Sequence, residues 1–186
     1  MEQTIKDTIV IGVGNILFKD EGIGVYAAEY LRSNYDFSPA LEIIDGATLG
    51  FRLMSYFQEY KRIYIIDTIS IEDKPGSIYK VPADELLGLG TYRQTAHEVE
   101  IVEMLEICSL LDSMAEVIIF GIVPKDIESV EIDLTDELKS SFDGLIDEIT
   151  KELGKIGYSY SLNSKKSLQE CIKELQESTR GNYGDI

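Results

Sequence analysis

The stretch at residues 8–24, TIVIGVGNILFKDEGIG, decides how the rest of the chain is interpreted. Its first part, Thr8 to Val13, is a short β-branched apolar run, which predicts a buried strand. Its second part, Gly14 to Gly24, is a glycine-rich loop that contains adjacent acids. From Val25 the apolar residues follow helical spacing and end near Asn34. A strand, a loop and a helix in this order indicate the start of an α/β fold.

The same alternation continues along the chain. Further strands are predicted at Leu41–Ile44, Ile63–Ile66, Ser77–Val81 and Val117–Val123, and further helices from Thr48 to about Tyr60, after Thr95, and from Thr135 to about Leu153. Near-continuous apolar strands that alternate with helices are typical of parallel sheets. We therefore predict a three-layer α/β/α fold with a mostly parallel five-stranded sheet and helices on both faces.

The length of 186 residues suits one domain, which we assign to residues 1–154. Residues 155–186 form a C-terminal extension of different composition. Its first part, residues 155–167, is rich in Gly, Ser and Tyr and lacks periodicity. Ser167 to Ser178 can form a short amphipathic helix that packs on the domain or on a partner, or stays mobile. The chain from Arg180 onward is expected to be disordered.

Composition excludes several classes of function. The 34 acidic and 17 basic residues give a formal net charge of −17, which repels phosphate backbones and anionic membranes. The charge serves solubility, or it attracts metal cations or a basic segment of a partner. No signal peptide and no long apolar run is present, so we expect a soluble cytoplasmic protein. Cys108 and Cys171 form no CxxC motif and are expected to be reduced thiols.

Acids and the single histidine follow the predicted strands. Glu21 lies in the loop after the first strand, Asp67 ends the third strand, and His97 opens a helix. Loops at the carboxyl ends of parallel strands share one edge of the sheet, where ligands bind. Two carboxylates and one neutral imidazole there suit zinc, nickel or a similar divalent ion, with positions left open for substrate. There is also an alternative without a metal, in which each residue has a structural role. Asp67 would then cap a helix, Glu21 would be a solvated acid, and His97 would be a cap or a surface residue.

Other catalytic arrangements have less support. A nucleophile paired with a histidine would have to use His97, and Cys108 lies about 16 Å along the same predicted helix. No GxSxG or HExxH motif is present. The glycines at 12 and 14 suggest a dinucleotide loop, but Leu17 occupies the third glycine position and nearby acids would repel a pyrophosphate.

Several sequence blocks resemble the hydrogenase maturation endopeptidases, the proteases that process the large subunit of nickel-iron hydrogenases. The blocks are IGVGNILFKDEGIGV at 11–25, DGATLG at 45–50, IIDTI at 65–69, AHEVEIVEML at 96–105 and GIVPKDIE at 121–128. The resemblance extends over about residues 8–150. It implies an enzyme that removes a C-terminal extension from the large-subunit precursor after nickel insertion, with nickel as the recognition mark.

The resemblance also assigns residues. It places the metal-contacting and catalytic roles on Glu21, Asp67 and His97. Supporting positions around the site are Gly14, Asn15, Asp20 and Asp45. Ala47 departs from the family pattern, which has glycine there, and a β-carbon restricts left-handed backbone angles. The role of Asp45 is less certain for that reason.

The resemblance leads to a mechanism in which the precursor brings its own nickel to these ligands. Another divalent metal such as zinc is the alternative ion. A metal-dependent maturation chaperone that binds the precursor without cutting it is the main rival function. A dinucleotide-binding domain is the weaker one.

Overall fold

The computed structural model describes residues 6–47, 53–83, 85, 106, 115–163 and 166–183. Along the chain the elements are β1 (Lys6–Val13), a 3₁₀-helix (Lys19–Gly22), α1 (Ile23–Asn34), β2 (Tyr35–Ser38), β3 (Glu42–Ala47), α2 (Met54–Glu59), β4 (Tyr60–Thr68), β5 (Ile78–Pro82), β6 (Glu116–Ile122), α3 (Asp136–Lys155), β7 (Ser159–Leu162) and α4 (Leu168–Tyr183). The predicted cap at Thr48, the helix after Thr95 and Cys108 lie outside the described residues.

The main sheet has the strand order β3-β1-β4-β6-β5. All neighbouring pairs are parallel except β5 with β6. This mostly parallel five-stranded sheet confirms the predicted fold class. Strand β3 runs further than predicted, to Ala47, because Asp45 still pairs with Gly12 before a bulge shifts the register.

Alternating side chains of the strands build a core on each face of the sheet. On one face Val10, Tyr64 and Phe120 pack against α1, α3 and α4. On the other face Ile11 and Ile65 pack against α2. The inner strands are buried on both faces, and this explains why β1, β4 and β6 are almost continuously apolar.

The strand order also defines a crevice. Strand β3 lies on one side of β1, and β4 lies on the other. The chain segments that follow β1 and β4 therefore leave the sheet in different directions, and ligands bind at such a switch point. Glu21 lies in the segment after β1, and Asp67 lies at the end of β4. The fold therefore points to this edge.

A second, two-stranded antiparallel sheet joins β2 to β7. No strand was predicted within residues 155–167, so β7 was missed. The strand is short and exposed along its whole length, so it has no periodic apolar pattern. Its partner lies more than a hundred residues earlier, with Phe37 opposite Tyr160. Only the tertiary structure brings these two strands together.

Helix α4 continues to Tyr183, so disorder was wrongly predicted at residues 180–183. The helix packs on the main core, where Cys171 and Ile172 are fully buried. The buried Asn34 side chain holds the start of this segment: its amide nitrogen donates to the carbonyl of Lys166 at 3.0 Å, and its oxygen accepts from the Lys166 N–H at 2.7 Å. Within the described ranges, no helix is long and apolar enough to cross a membrane.

Replacing Asn34 with alanine should loosen α4. The variant leaves both polar groups of Lys166 without their partner, which costs about 2 kcal/mol. Burial raises the pKa of the Cys171 thiol to about 11, so alkylation of this thiol near neutral pH requires α4 to open. We expect Asn34→Ala to accelerate Cys171 alkylation roughly 30-fold, measured by peptide mapping. Asn163→Ala, which changes an exposed side chain, is the control and should react at the wild-type rate.

Candidate functional site

The first loop, residues 14–22, folds back tightly on itself at Gly14. This glycine has φ +139°, a backbone angle that other residues rarely adopt. A β-carbon at this position would lie 1.9 Å from the carbonyl oxygen of Glu21. Any other residue at position 14 would therefore displace the backbone of Glu21.

Gly24 allows the start of α1 to pack closely against two strands. A β-carbon there would lie 2.1 Å from the carbonyl oxygen of Ile66 and 2.2 Å from that of Val13. Ile66 immediately precedes Asp67, and Val13 ends β1. The segment after Glu21 is therefore pressed against the ends of β1 and β4, which sets the first loop beside Asp67.

The two predicted carboxylates lie in these adjoining segments. Asp67 is 2% exposed, and its Oδ1 accepts a hydrogen bond from the Thr68 N–H at 2.7 Å. Glu21 is partly buried in the 3₁₀-helix, which contacts β4. His97 lies outside the described residues, and within those residues no three His, Cys, Asp or Glu side chains form a possible metal cluster.

Asp20, a predicted supporting residue, is fully buried and holds a second loop. Its carboxylate accepts from the backbone N–H groups of Lys125, Asp126 and Thr135, at 2.9, 3.0 and 2.7 Å. The Thr135 hydroxyl donates to it as well, at 2.9 Å. Thr135 stands at the N-cap of α3 as predicted, but its side chain binds Asp20 and makes no cap hydrogen bond. Asp20 thus joins the first loop to the 124–135 loop.

Salt bridges and short backbone pairing reinforce this junction. The Lys19 N–H donates to the Glu131 carbonyl, and the Glu131 N–H donates to the Leu17 carbonyl. The Lys19 ammonium lies 2.8 Å from the Glu131 carboxylate, which raises the pKa of Lys19. In the same loop the Ser129 hydroxyl donates to Asp126 and lowers the pKa of that carboxyl. Backbone, side-chain and charge contacts together fix the rim of the site.

Asn15 and Asp45 act on the backbone around the loop. Asn15 Oδ1 accepts from the Leu17 N–H, and Asp45 Oδ1 accepts from the Ala47 N–H at 2.7 Å. Asp45 itself is exposed. Ala47 has φ +40°, and its carbonyl accepts from the Gly14 N–H. Ala47 therefore adopts the left-handed angle that glycine favours.

An open cleft lies beside Asp67, and the sequence analysis did not identify it. It has a volume of about 450 Å³ and lies between residues 69–72, which follow β4, and residues 123–125 with Ile127, which follow β6. Its walls belong to two loops that are distant in sequence. The adjacent blocks IIDTI and GIVPKDIE were the only sequence signal that pointed toward them.

Comparisons with known proteins agree on one family. The profile of the hydrogenase maturation protease family matches residues 25–152. The chain is 30% identical to the hydrogenase expression/formation protein HupD of Bradyrhizobium diazoefficiens, over 84% of this chain and 82% of that protein. It is 27% identical to the hydrogenase 2 maturation protease of Escherichia coli, over 80% of this chain and 92% of that protein.

Solved structures agree. The hydrogenase maturating endopeptidase HybD from E. coli superposes with a TM-score of 0.77 at 25% identity, over 86% of this chain and 98% of that one. The nickel-iron hydrogenase maturation protease HybD from Thermococcus kodakarensis gives a TM-score of 0.64 at 28% identity, over 80% and 99%. The chain belongs to the hydrogenase maturation protease family, and it is therefore an enzyme of the peptidase class. The resemblance seen in the sequence is confirmed.

Replacing Asp20 with asparagine should weaken the fold without changing its shape. The amide has one acceptor oxygen instead of two, so donors from the 124–135 loop lose their partner and a charged acceptor is lost. We expect a decrease of about 3 kcal/mol in the free energy of unfolding, measured by urea denaturation. Asp136→Asn, at an exposed position next to Thr135, is the control. A change below about 0.5 kcal/mol in Asp20→Asn would show that Asp20 does not join the loops.

Replacing Ala47 with glycine should stabilise the protein. Relief of the left-handed angle gains about 1–2 kcal/mol, and the greater freedom of glycine in the unfolded chain offsets about 0.4–1 kcal/mol of it. We expect a net gain of about 0.5–1 kcal/mol from these two terms, seen as a higher melting temperature. Ala40→Gly changes an exposed alanine that has no positive φ and should destabilise the protein instead. Equal effects of both substitutions would contradict strain at Ala47.

Proposed function

We propose that the protein removes the C-terminal extension from a nickel-loaded precursor of a nickel-iron hydrogenase large subunit, in the cytoplasm. The observation that carries this proposal is the meeting of the Glu21 and Asp67 segments at the switch point of the sheet, in a chain of this family. Relatives with a named activity are hydrogenase maturation proteases. The segments that contain the two predicted acids, Glu21 and Asp67, thus lie at the edge where α/β folds bind ligands.

We expect His97 near the same edge. Its predicted helix, from His97 to about Cys108, would span roughly 18 Å, close to the roughly 23 Å length of β6. Because β6 starts at the opposite edge, a helix that leads into it would begin near the carboxyl edge. Ala83 and Ala115, which flank the undescribed segment, pack on the α2 face. By strand alternation, Asp67 points to that face, as Ile65 does.

This donor set suits a metal that the substrate brings. Glu21 and Asp67 supply oxygen, and clustered carboxylates are relieved of their repulsion by a divalent cation. His97 supplies a nitrogen, and the positive end of its predicted helix would keep the imidazole neutral. Two oxygens and one nitrogen accommodate nickel, and zinc would fit the same donors.

In the proposed reaction the three side chains hold the precursor by its metal and so fix the position of the nearby peptide bond. Fixed positioning of this kind can account for a large part of the lowering of a reaction barrier. A metal ion close to the scissile carbonyl would polarise it. One of the carboxylates would accept the proton of the attacking water. Specificity would then come from the metal and from the distance between metal and bond.

Mass spectrometry of the precursor tests this function. Incubation with the protein should release a C-terminal peptide from nickel-loaded precursor and leave nickel-free precursor intact. Glu21→Gln, Asp67→Asn and His97→Ala should each slow release by more than about 100-fold. Glu59→Gln, which alters a carboxylate at the opposite edge of the sheet, is the control. Binding of the precursor without release of a peptide would instead favour a non-catalytic checkpoint.

A further inference from the structure

We propose that the cleft next to Asp67 binds the segment of the precursor that is cut off, as an extended peptide. The inference rests on the proposed function and adds a substrate-binding surface to it. The volume of about 450 Å³ lies within the range of about 300–1,000 Å³ that is usual for ligand sites. The cleft lies between loops that follow β4 and β6, at the same edge as Glu21 and Asp67.

The cleft wall begins at Ile69, two residues after Asp67 in the chain. The register partner of Asp67 in β6 is Gly121, which has no side chain. The Ile69 side chain lies over that glycine, 2.7 Å from where a β-carbon would be. Ile69 lies two residue steps after Asp67, a distance of about 6.6 Å along an extended chain. A peptide bond held at Asp67 would therefore place its second or third neighbouring residue in the cleft.

The lining combines apolar side chains with Ser70, Glu72 and Lys125, and this mixture suits a peptide better than a metal ion. Ile69 and Val123 are 5% exposed, and Ile71 and Ile127 are partly buried around the same space. The lining contains one carboxylate, Glu72, which is too few for a metal site. The lining also contains one cation, Lys125, whose ammonium lies 2.5 Å from the carboxylate of Glu137 and is therefore already paired.

The cleft suits the removed segment better than the retained one. In the proposed reaction the retained body is held through its metal at Glu21, Asp67 and His97. The residues beyond the scissile bond have no such anchor, so their orientation needs a second contact. A binding surface that starts two residues from Asp67 provides this contact and adds to the affinity for the precursor, so its loss should raise KM. The cleft therefore holds the other side of the bond.

Photocrosslinking tests the occupant of the cleft. A photoreactive phenylalanine analogue at position 127 should crosslink to the C-terminal extension of nickel-loaded precursor, as mapped by mass spectrometry. The same analogue at position 156, a partly buried isoleucine at the end of α3, is the matched control and should give none. Crosslinks from position 127 to the retained body, or none above the control, would overturn the inference.

The kinetics of variants with shortened side chains give a second readout. Ile127→Ala should raise KM for the precursor about tenfold and leave kcat close to wild type, and Ile156→Ala should change neither. Replacing the residues of the extension that lie two and three positions beyond the scissile bond with glycine should raise KM in the wild-type enzyme to a similar degree. Unchanged KM in both experiments would exclude the cleft while leaving the proposed cleavage intact. Failure of the wild-type protein to cut the precursor would refute the protease function, whereas the crosslink would still report binding in the cleft.

Discussion

The close approach of α1 to the ends of β1 and β4 is the constraint on which the rest of the site depends. Gly24 allows this approach because a β-carbon there would overlap the carbonyls of Val13 and Ile66. Gly14 allows the first loop to return against Glu21 at a backbone angle that other residues avoid. Since protein interiors are densely packed, even one added carbon would move these segments apart. The relative position of the Glu21 and Asp67 segments thus depends on the absence of a side chain at Gly14 and at Gly24.

A buried carboxylate holds the rim of the site in place. Asp20 is fully buried, and its charge is stabilised by N–H and O–H donors from Lys125, Asp126 and Thr135. Burying a charge is unfavourable unless it is hydrogen-bonded in this way. The position of the first loop is therefore coupled to the 124–135 loop, which also forms one wall of the cleft. The two adjacent acids of this loop therefore differ in position: Asp20 is buried and joins two loops, whereas Glu21 is only partly buried in the 3₁₀-helix that contacts β4.

The C-terminal segment belongs to the same arrangement. Asn34 holds the backbone of Lys166, and the Gln176 side chain donates to the Ile132 carbonyl at 2.6 Å. Ile132 lies in the 124–135 loop that Asp20 holds from the other side. The helix α4 therefore supports the rim from behind, and its buried residues share the core of the α1 face. This segment contributes to the shape of the site although it supplies none of the predicted ligands.

The sequence by itself determined the elements and the edge at which to look for function. Continuous apolar runs at β1, β4 and β6 predicted buried parallel strands, and the acids at Glu21 and Asp67 followed directly from where these runs end. The metal role of these acids and of His97 stays a prediction. Only the tertiary structure decided the pairing of β2 with β7, the partners of Asp20 and the cleft between two loops. Each of these joins segments that are far apart in the chain, and local propensity and periodicity contain no information about such contacts. The left-handed Ala47 lies between the two cases: the sequence showed where a β-carbon was unexpected, and the backbone showed that it is tolerated.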